Sequence, residues 1–165
     1  MAKSGFTHES TYNESVEWYT PPEIFEALGV TFDLDPCSPG EGKSFVPAHK
    51  HLTVEDDGLT TPWEGLAFVN PPYGSQTPKW MRKAAEHGNS IALVFARTDV
   101  KWFQELAVST SGILFISGRI KFYQGSTDLQ GGTPGTGSML LAWGREAGKI
   151  LWDAPKDFGV LVNVQ

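Results

Sequence analysis

Short apolar runs alternate along the chain with helix-length segments whose apolar positions recur every three or four residues. Thr20-Pro21-Pro22-Glu23 opens the first helix: Thr20 is the expected N-cap, Pro21 the first helical position, and Glu23 the partner that closes a capping box. Ile24, Phe25 and Leu28 form its apolar stripe and Gly29 ends it. Residues 30–34 read as a strand and 35–42 as a Pro/Gly/Ser loop. The stretch 45–59 carries no clear period, and Pro47 excludes a long helix there.

A strand over 67–69 follows, then a helix that Thr77-Pro78 opens and Gly88 closes, with Trp80, Met81, Ala84 and Ala85 on one side. Residues 91–96 read as a strand and 99–106 as a helix carrying Trp102, Phe103 and Leu106. Strands are expected at 113–116 and 138–143, with short ones at 150–152 and 160–164. Strands alternating with helices imply an α/β domain: a mostly parallel twisted sheet with helices on both faces. In such sheets ligands sit outside the carboxyl ends of the strands, where Asp35 and Asn70 both fall. Residues 1–16 are polar and aperiodic and read as a flexible arm, leaving 17–165 as one domain.

Composition narrows the function. No apolar stretch reaches bilayer length, so no membrane partner is expected. Cys37 is the single cysteine, which excludes an intrachain disulfide framework and fits a reducing, cytoplasmic compartment. His8, His49, His51 and His87 make no zinc set and are read as surface residues, so no metal is expected. The formal charge of −6 argues mildly against nucleic acid. Basic residues nevertheless cluster at Lys79, Arg82 and Lys83, at Arg97 and Lys101, and at Arg119 and Lys121, enough for a local basic rim.

Two segments carry chemistry. Asn70-Pro71-Pro72-Tyr73 ends the apolar run Leu66-Ala67-Phe68-Val69 in a rigid corner. There the Asn70 side chain and the Pro71 carbonyl present fixed acceptors beside the flat Tyr73 ring, which suits an amino group on a planar ring. Asp35-Pro36-Cys37-Ser38-Pro39-Gly40-Glu41-Gly42 is a loop of small residues with a carboxylate at its mouth. Gly42-Lys43-Ser44 brushes against the phosphate-loop pattern, but Cys37 replaces its first Gly, Pro47 interrupts the helix it requires, and the strand expected to end in Asp ends in Asn70. Cys37 has no basic partner in sequence and is expected to serve as a small residue, not as a nucleophile.

The order of these motifs resembles that of the small phage-type DNA N6-adenine methyltransferases, which use S-adenosylmethionine. Trp18-Tyr19-Thr20-Pro21-Pro22 resembles their leading Y-T-P motif. Asp35 to Gly42 resembles the D-P-x-x-G-x-G cofactor loop, and Asn70-Pro71-Pro72-Tyr73 the catalytic [DNS]-P-P-[YFW]. Phe95-Ala96-Arg97-Thr98-Asp99 and Gly118-Arg119-Ile120-Lys121-Phe122 look like further family blocks. The resemblance implies a compact single-domain, Rossmann-like class I methyltransferase fold, and methyl transfer to the N6 amine of a flipped-out adenine. It implies Asn70, Pro71, Pro72 and Tyr73 as catalytic residues. Tyr19, Thr20, Pro21, Asp35, Pro36, Cys37 and Ser38 would hold the cofactor, with Asp56 or Asp57 for its ribose. Lys79, Arg97, Arg119, Lys121 and Phe122 would meet DNA, with Phe122 or Tyr123 covering the base.

No separate target-recognition domain is expected, so the loop 118–137 is the candidate for sequence choice. The same chemistry on cytosine N4, an RNA base or a glutamine amide stays open at this point. So do a non-catalytic nucleic-acid-binding role, and monomer and homodimer alike. A phage-encoded chain would act in the host cytoplasm.

Overall fold

The computed structural model describes residues 18–125, 131 and 133–164. The expected arm over 1–16 lies outside them, as do 126–130 and 132 of the candidate recognition loop. The elements run β1 (Trp18–Tyr19), α1 (Pro22–Leu28), β2 (Phe32–Asp35), β3 (Ala48–His51), β4 (Ala67–Val69), α2 (Thr77–His87), β5 (Ser90–Phe95), α3 (Lys101–Leu106), β6 (Gly112–Ile116), β7 (Tyr123–Gln124), β8 (Ser138–Trp143), α4 (Arg145–Asp153) and β9 (Gly159–Asn163).

Seven strands form one sheet in the order β3-β2-β4-β5-β8-β6-β9. The block β3-β2-β4-β5 is parallel, β8 runs antiparallel to both β5 and β6, and β9 is antiparallel to β6. The sheet is therefore mixed: β6 points with the parallel block, while β8 and β9 run against it. β1 and β7 form a separate two-stranded antiparallel ribbon that pairs Trp18 with Gln124 and Tyr19 with Tyr123.

Helices cover both faces, as the alternation of elements requires. On one face Ile24, Phe25 and Leu28 of α1 and Ala147, Ile150 and Leu151 of α4 pack on Phe32, Phe68, Ile91, Leu93 and Phe95. On the other, Trp80, Met81 and Ala84 of α2 and Trp102 and Phe103 of α3 pack on Leu34, Ala67, Val69, Ala92 and Val94. Phe68 is fully buried, with its ring 4.8 Å from Phe25 and 5.2 Å from Phe32. Each such burial contributes about 1.5–3 kcal/mol, so β4 is held as the stiff centre from which the Asn70 corner projects.

Two local expectations are corrected, and the stretch without a clear period gains a strand. The first helix begins one residue later, at Pro22: Pro21 is the cap residue in extended conformation, and no side chain caps the end. Thr20 instead buries its hydroxyl, and Glu23 closes no capping box. Gly29 does terminate the helix in the left-handed conformation, its N–H donating to the Phe25 carbonyl. The expected strand over 150–152 is the end of α4, because Ala147, Ile150 and Leu151 recur at helical spacing on the buried side. Within the unreadable stretch after Phe45, Ala48-His49-Lys50-His51 forms the edge strand β3. An edge strand needs little apolar character, which is why its polar sequence gave no signal.

Candidate active site

The chain passes from β2 to β3 on one side and returns to β4 on the other, so strand order reverses between β2 and β4. A cavity of about 570 Å³ opens beside these strand ends. Trp18, Tyr19, Thr20, Asp35, Pro36, Cys37, Ser38, Asp57, Asn70, Pro71, Pro72 and Tyr73 all line it. The three separated motifs of the sequence therefore meet in one place.

At the end of β4, the Asn70 Nδ2 donates to the Trp18 carbonyl at 3.3 Å. That bond fixes which way the amide faces. Asn70 Oδ1 is buried and meets no hydrogen-bond partner. Beyond the two prolines, Thr77 Oγ1 donates to the Pro72 carbonyl at 3.0 Å and accepts the Gly74 N–H at 3.2 Å, tying the corner to the first turn of α2. The Tyr73 ring lies parallel to Phe95, with centroids 4.3 Å apart and planes 6° off parallel. Phe95 covers one face of Tyr73, so only the other can meet a ligand.

At the end of β2, Asp35 is 2% exposed. Its Oδ1 accepts the Cys37 N–H at 3.3 Å. Its Oδ2 faces His51 Nδ1 at 3.4 Å, which itself sits 2.9 Å from Ser38 Oγ. The hydrogen bond with Asp35 pushes the His51 imidazole above its ordinary value, although burial opposes the shift. Burial, with Asp35 adding to it, pushes the Cys37 thiol well up, so it stays protonated and unreactive.

The far wall is the turn over 53–61. Lys83 Nζ donates to the carbonyls of Gly58, Leu59 and Thr61 at 3.0, 2.9 and 2.6 Å, and Trp63 Nε1 donates to the Gly58 carbonyl at 2.8 Å. Burial lowers the Lys83 pKa. A Cβ at Gly58 would overlap the Pro36 carbonyl oxygen and come within 2.7 Å of the Trp80 ring, so only glycine lets this turn close on the loop after β2.

Other expected residues lie elsewhere. Pro21 is buried under the start of α1, its carbonyl accepting the Ile24 N–H at 3.2 Å. Asp56 is exposed and spends one carboxylate oxygen on the Thr53 N–H and hydroxyl, at 2.8 and 3.2 Å. Of the two acids only Asp57 reaches the cavity wall. Phe122 is fully buried and meets Phe95 edge-on at 6.4 Å, so its expected contact with DNA is corrected: it is a core ring that supports the Tyr73 stack from behind. Lys79, Arg119 and Lys121 are exposed and Arg97 is half-buried; none lines the cavity. Lys83, grouped with them in sequence, is the clamp just described.

A family model described as DNA N-6-adenine-methyltransferase (Dam) matches residues 9–155. The chain belongs to this family. It is a DNA N6-adenine methyltransferase, and DNA is its substrate. No curated protein and no solved structure matches it. The family match spans β1, the loop after β2, the Asn70 corner and α4, so every wall of the cavity falls inside it. Among the described residues no helix is long and apolar enough to cross a membrane, and no group of three or more His, Cys, Asp or Glu is placed to hold a metal ion.

His51 is the site residue that sequence reasoning missed. Its spacing from His49 assigned both to one strand face and both to the surface, yet only His49 is exposed. The register that sets Asp35 opposite His51 is the missing information.

Proposed function

We propose that the cavity takes S-adenosylmethionine as the methyl donor and that an extruded adenine presents its N6 amine to Asn70. One observation carries this reading. Thr20 Oγ1 and Asn70 Oδ1 are buried polar atoms without a hydrogen-bond partner, the Asp35 carboxylate is buried with its Oδ2 met only by His51 Nδ1 at 3.4 Å, and all three residues line the same cavity. Orphaned buried polar atoms cost about 1–3 kcal/mol each, so a native protein keeps two beside a buried carboxylate for a ligand that satisfies them. The cavity volume falls within the usual range for small-molecule sites.

Tyr19, Thr20, Asp35, Pro36, Cys37 and Ser38 hold the donor in this reading, with Asp35 meeting its positive charge and Asp57 as the wall acid for its ribose. Bound there, S-adenosylmethionine supplies an electrophilic methyl group. Asn70 Oδ1 and the Pro71 carbonyl each accept one hydrogen of the adenine amine. The nitrogen then pyramidalises, and a lone pair otherwise delocalised into the ring becomes available. Tyr73, held in plane by Phe95, stacks on the base through its remaining face. Placement and directed hydrogen bonding supply the catalysis, a single well-placed group of this kind contributing about 3 kcal/mol. Asn70 has no basic group, so the displaced proton leaves to water. Inside duplex DNA the amine is paired, so the base must leave the stack.

The reversal of strand order beside the cavity supports reading the sheet as Rossmann-like and 17–165 as one catalytic domain. Lys79, Arg97, Arg119 and Lys121 form the basic rim that meets phosphates, and the loop 118–137 chooses the sequence. A cytoplasmic site of action, in the host cell if phage-encoded, completes the reading.

Incubation with isotope-labelled S-adenosylmethionine and unmethylated DNA, followed by nucleoside digestion and mass spectrometry, tests it. Labelled N6-methyladenine, lost in the Asn70→Ala variant, is the expected result. Label transferred equally well by that variant would overturn the site assignment.

A further inference from the structure

His51 is the last residue of β3 and Asp35 the last of β2, and the parallel register sets them side by side. The His51 side chain is only 9% exposed and that of Asp35 only 3%. Among the described residues His51 makes the only ion pair that reaches Asp35. The same Nδ1 lies 2.9 Å from Ser38 Oγ, which also accepts the Gly40 N–H at 3.0 Å. The backbone closes the unit: the Leu52 N–H donates to the Asp35 carbonyl and the Ser38 N–H to the Leu52 carbonyl, both at 2.9 Å.

We propose that His51 is the positioning residue of the donor subsite: a proton-bearing partner of Asp35 whose place the cationic donor takes on binding. The proposal rests on the placement of S-adenosylmethionine against Asp35 argued above. A buried carboxylate needs a compensating charge. In the free protein, protonated His51 supplies it, with Nδ1–H shared between Asp35 Oδ2 and Ser38 Oγ. A cation arriving at Oδ2 removes the reason for that proton, which passes to solvent. Neutral His51 then carries its hydrogen on Nε2, and the Ser38 hydroxyl turns to donate to Nδ1 while still accepting the Gly40 N–H. The loop keeps its shape in both states, and Asp35 is released to the ligand.

The other groups facing His51 agree with this. Asp35 approaches from β2 and Glu41 from the loop after it, both negative, with the Ala48 backbone adding to their effect. Cys37 beside Asp35 stays a neutral thiol, and His49, two residues back on the strand, is exposed.

Isothermal calorimetry of S-adenosylmethionine binding, run from pH 6 to 8.5 in buffers of differing ionisation enthalpy, tests the proposal without reading activity. The wild type is expected to bind about three- to tenfold more weakly at the acid end and to release a proton on binding. His51→Gln is expected to flatten the profile and abolish the release. Histidine-resolved NMR of the wild type, with and without the donor, is expected to show one imidazole whose pKa falls on binding, and so does not depend on the variant folding. A flat wild-type profile, or one that survives unchanged in His51→Gln, overturns the role of His51. Asp35→Asn that binds the donor as tightly as wild type at pH 8.5 overturns the cofactor placement itself, a separate failure.

Discussion

The Asn70 side-chain amide donates to the carbonyl of Trp18, 52 residues earlier in the chain. Trp18 in turn belongs to the ribbon it makes with β7, a strand within the candidate recognition loop. The orientation of the proposed amine acceptor is thus set from the segment expected to read DNA. Gly131, whose N–H donates to the Phe122 carbonyl at 2.8 Å, lies so close that a Cβ there would sit 2.5 Å from the Trp18 ring. Gly131→Val is therefore expected to displace Trp18, free the Asn70 amide, and lower kcat about 10-fold or more. Donor affinity should change little. Steady-state methylation and calorimetry separate the two effects.

Tyr73 owes its fixed plane to Phe95. Phe95→Leu keeps an apolar core residue but removes the parallel ring. An aromatic pair of this kind contributes about 0.5–1.5 kcal/mol beyond area burial. The variant is expected to fold, to bind the donor normally, and to show a raised KM for DNA. Tyr73→Ala should raise it further, and an unchanged KM in both would deny Tyr73 a place against the base.

Lys83 satisfies three carbonyls of the turn that carries Gly58 and Leu59. Lys83→Met keeps much of the stem but no donor. Hydrogen bonds from a charged group contribute about 1.5–3 kcal/mol, so urea unfolding should show a loss of that order. The cavity wall should loosen with it, visible as weaker donor binding.

Asp35 raises the His51 pKa above its unfolded value. The pair therefore stabilises the donor-free fold fully below about pH 6.5, the ordinary imidazole value, and that contribution is lost as pH rises through the raised folded pKa. Urea midpoints of wild type and His51→Gln should differ most at mildly acidic pH and converge above the folded value. A gap that widens with pH would contradict the pair.

Much of this was legible in the chain because local rules and tertiary packing agree there. Thr77-Pro78 and Gly88 bracket α2, and the apolar runs at β4, β5 and β8 are buried on both faces, as continuous runs require. The three motifs that line the cavity were likewise visible as separate segments. What brings them together was not. The β1–β7 ribbon is two residues per strand, too short to carry a period. β3 is a polar edge, so neither the strand nor the Asp35–His51 register left a pattern. Phe122 and Tyr73 are both aromatic residues just beyond a polar or proline-rich break. Only packing decides that one is core and the other lines the cavity.

In the proposed reaction Asn70 acts on the amine and not on the donor or the fold. Single-turnover methylation of DNA by Asn70→Ala, measured beside calorimetric binding of S-adenosylmethionine, tests it most directly. A rate lowered at least about 100-fold with donor affinity within a few-fold of wild type is the predicted result. A rate that stays near wild type, or one that falls only in step with lost donor binding, would contradict it.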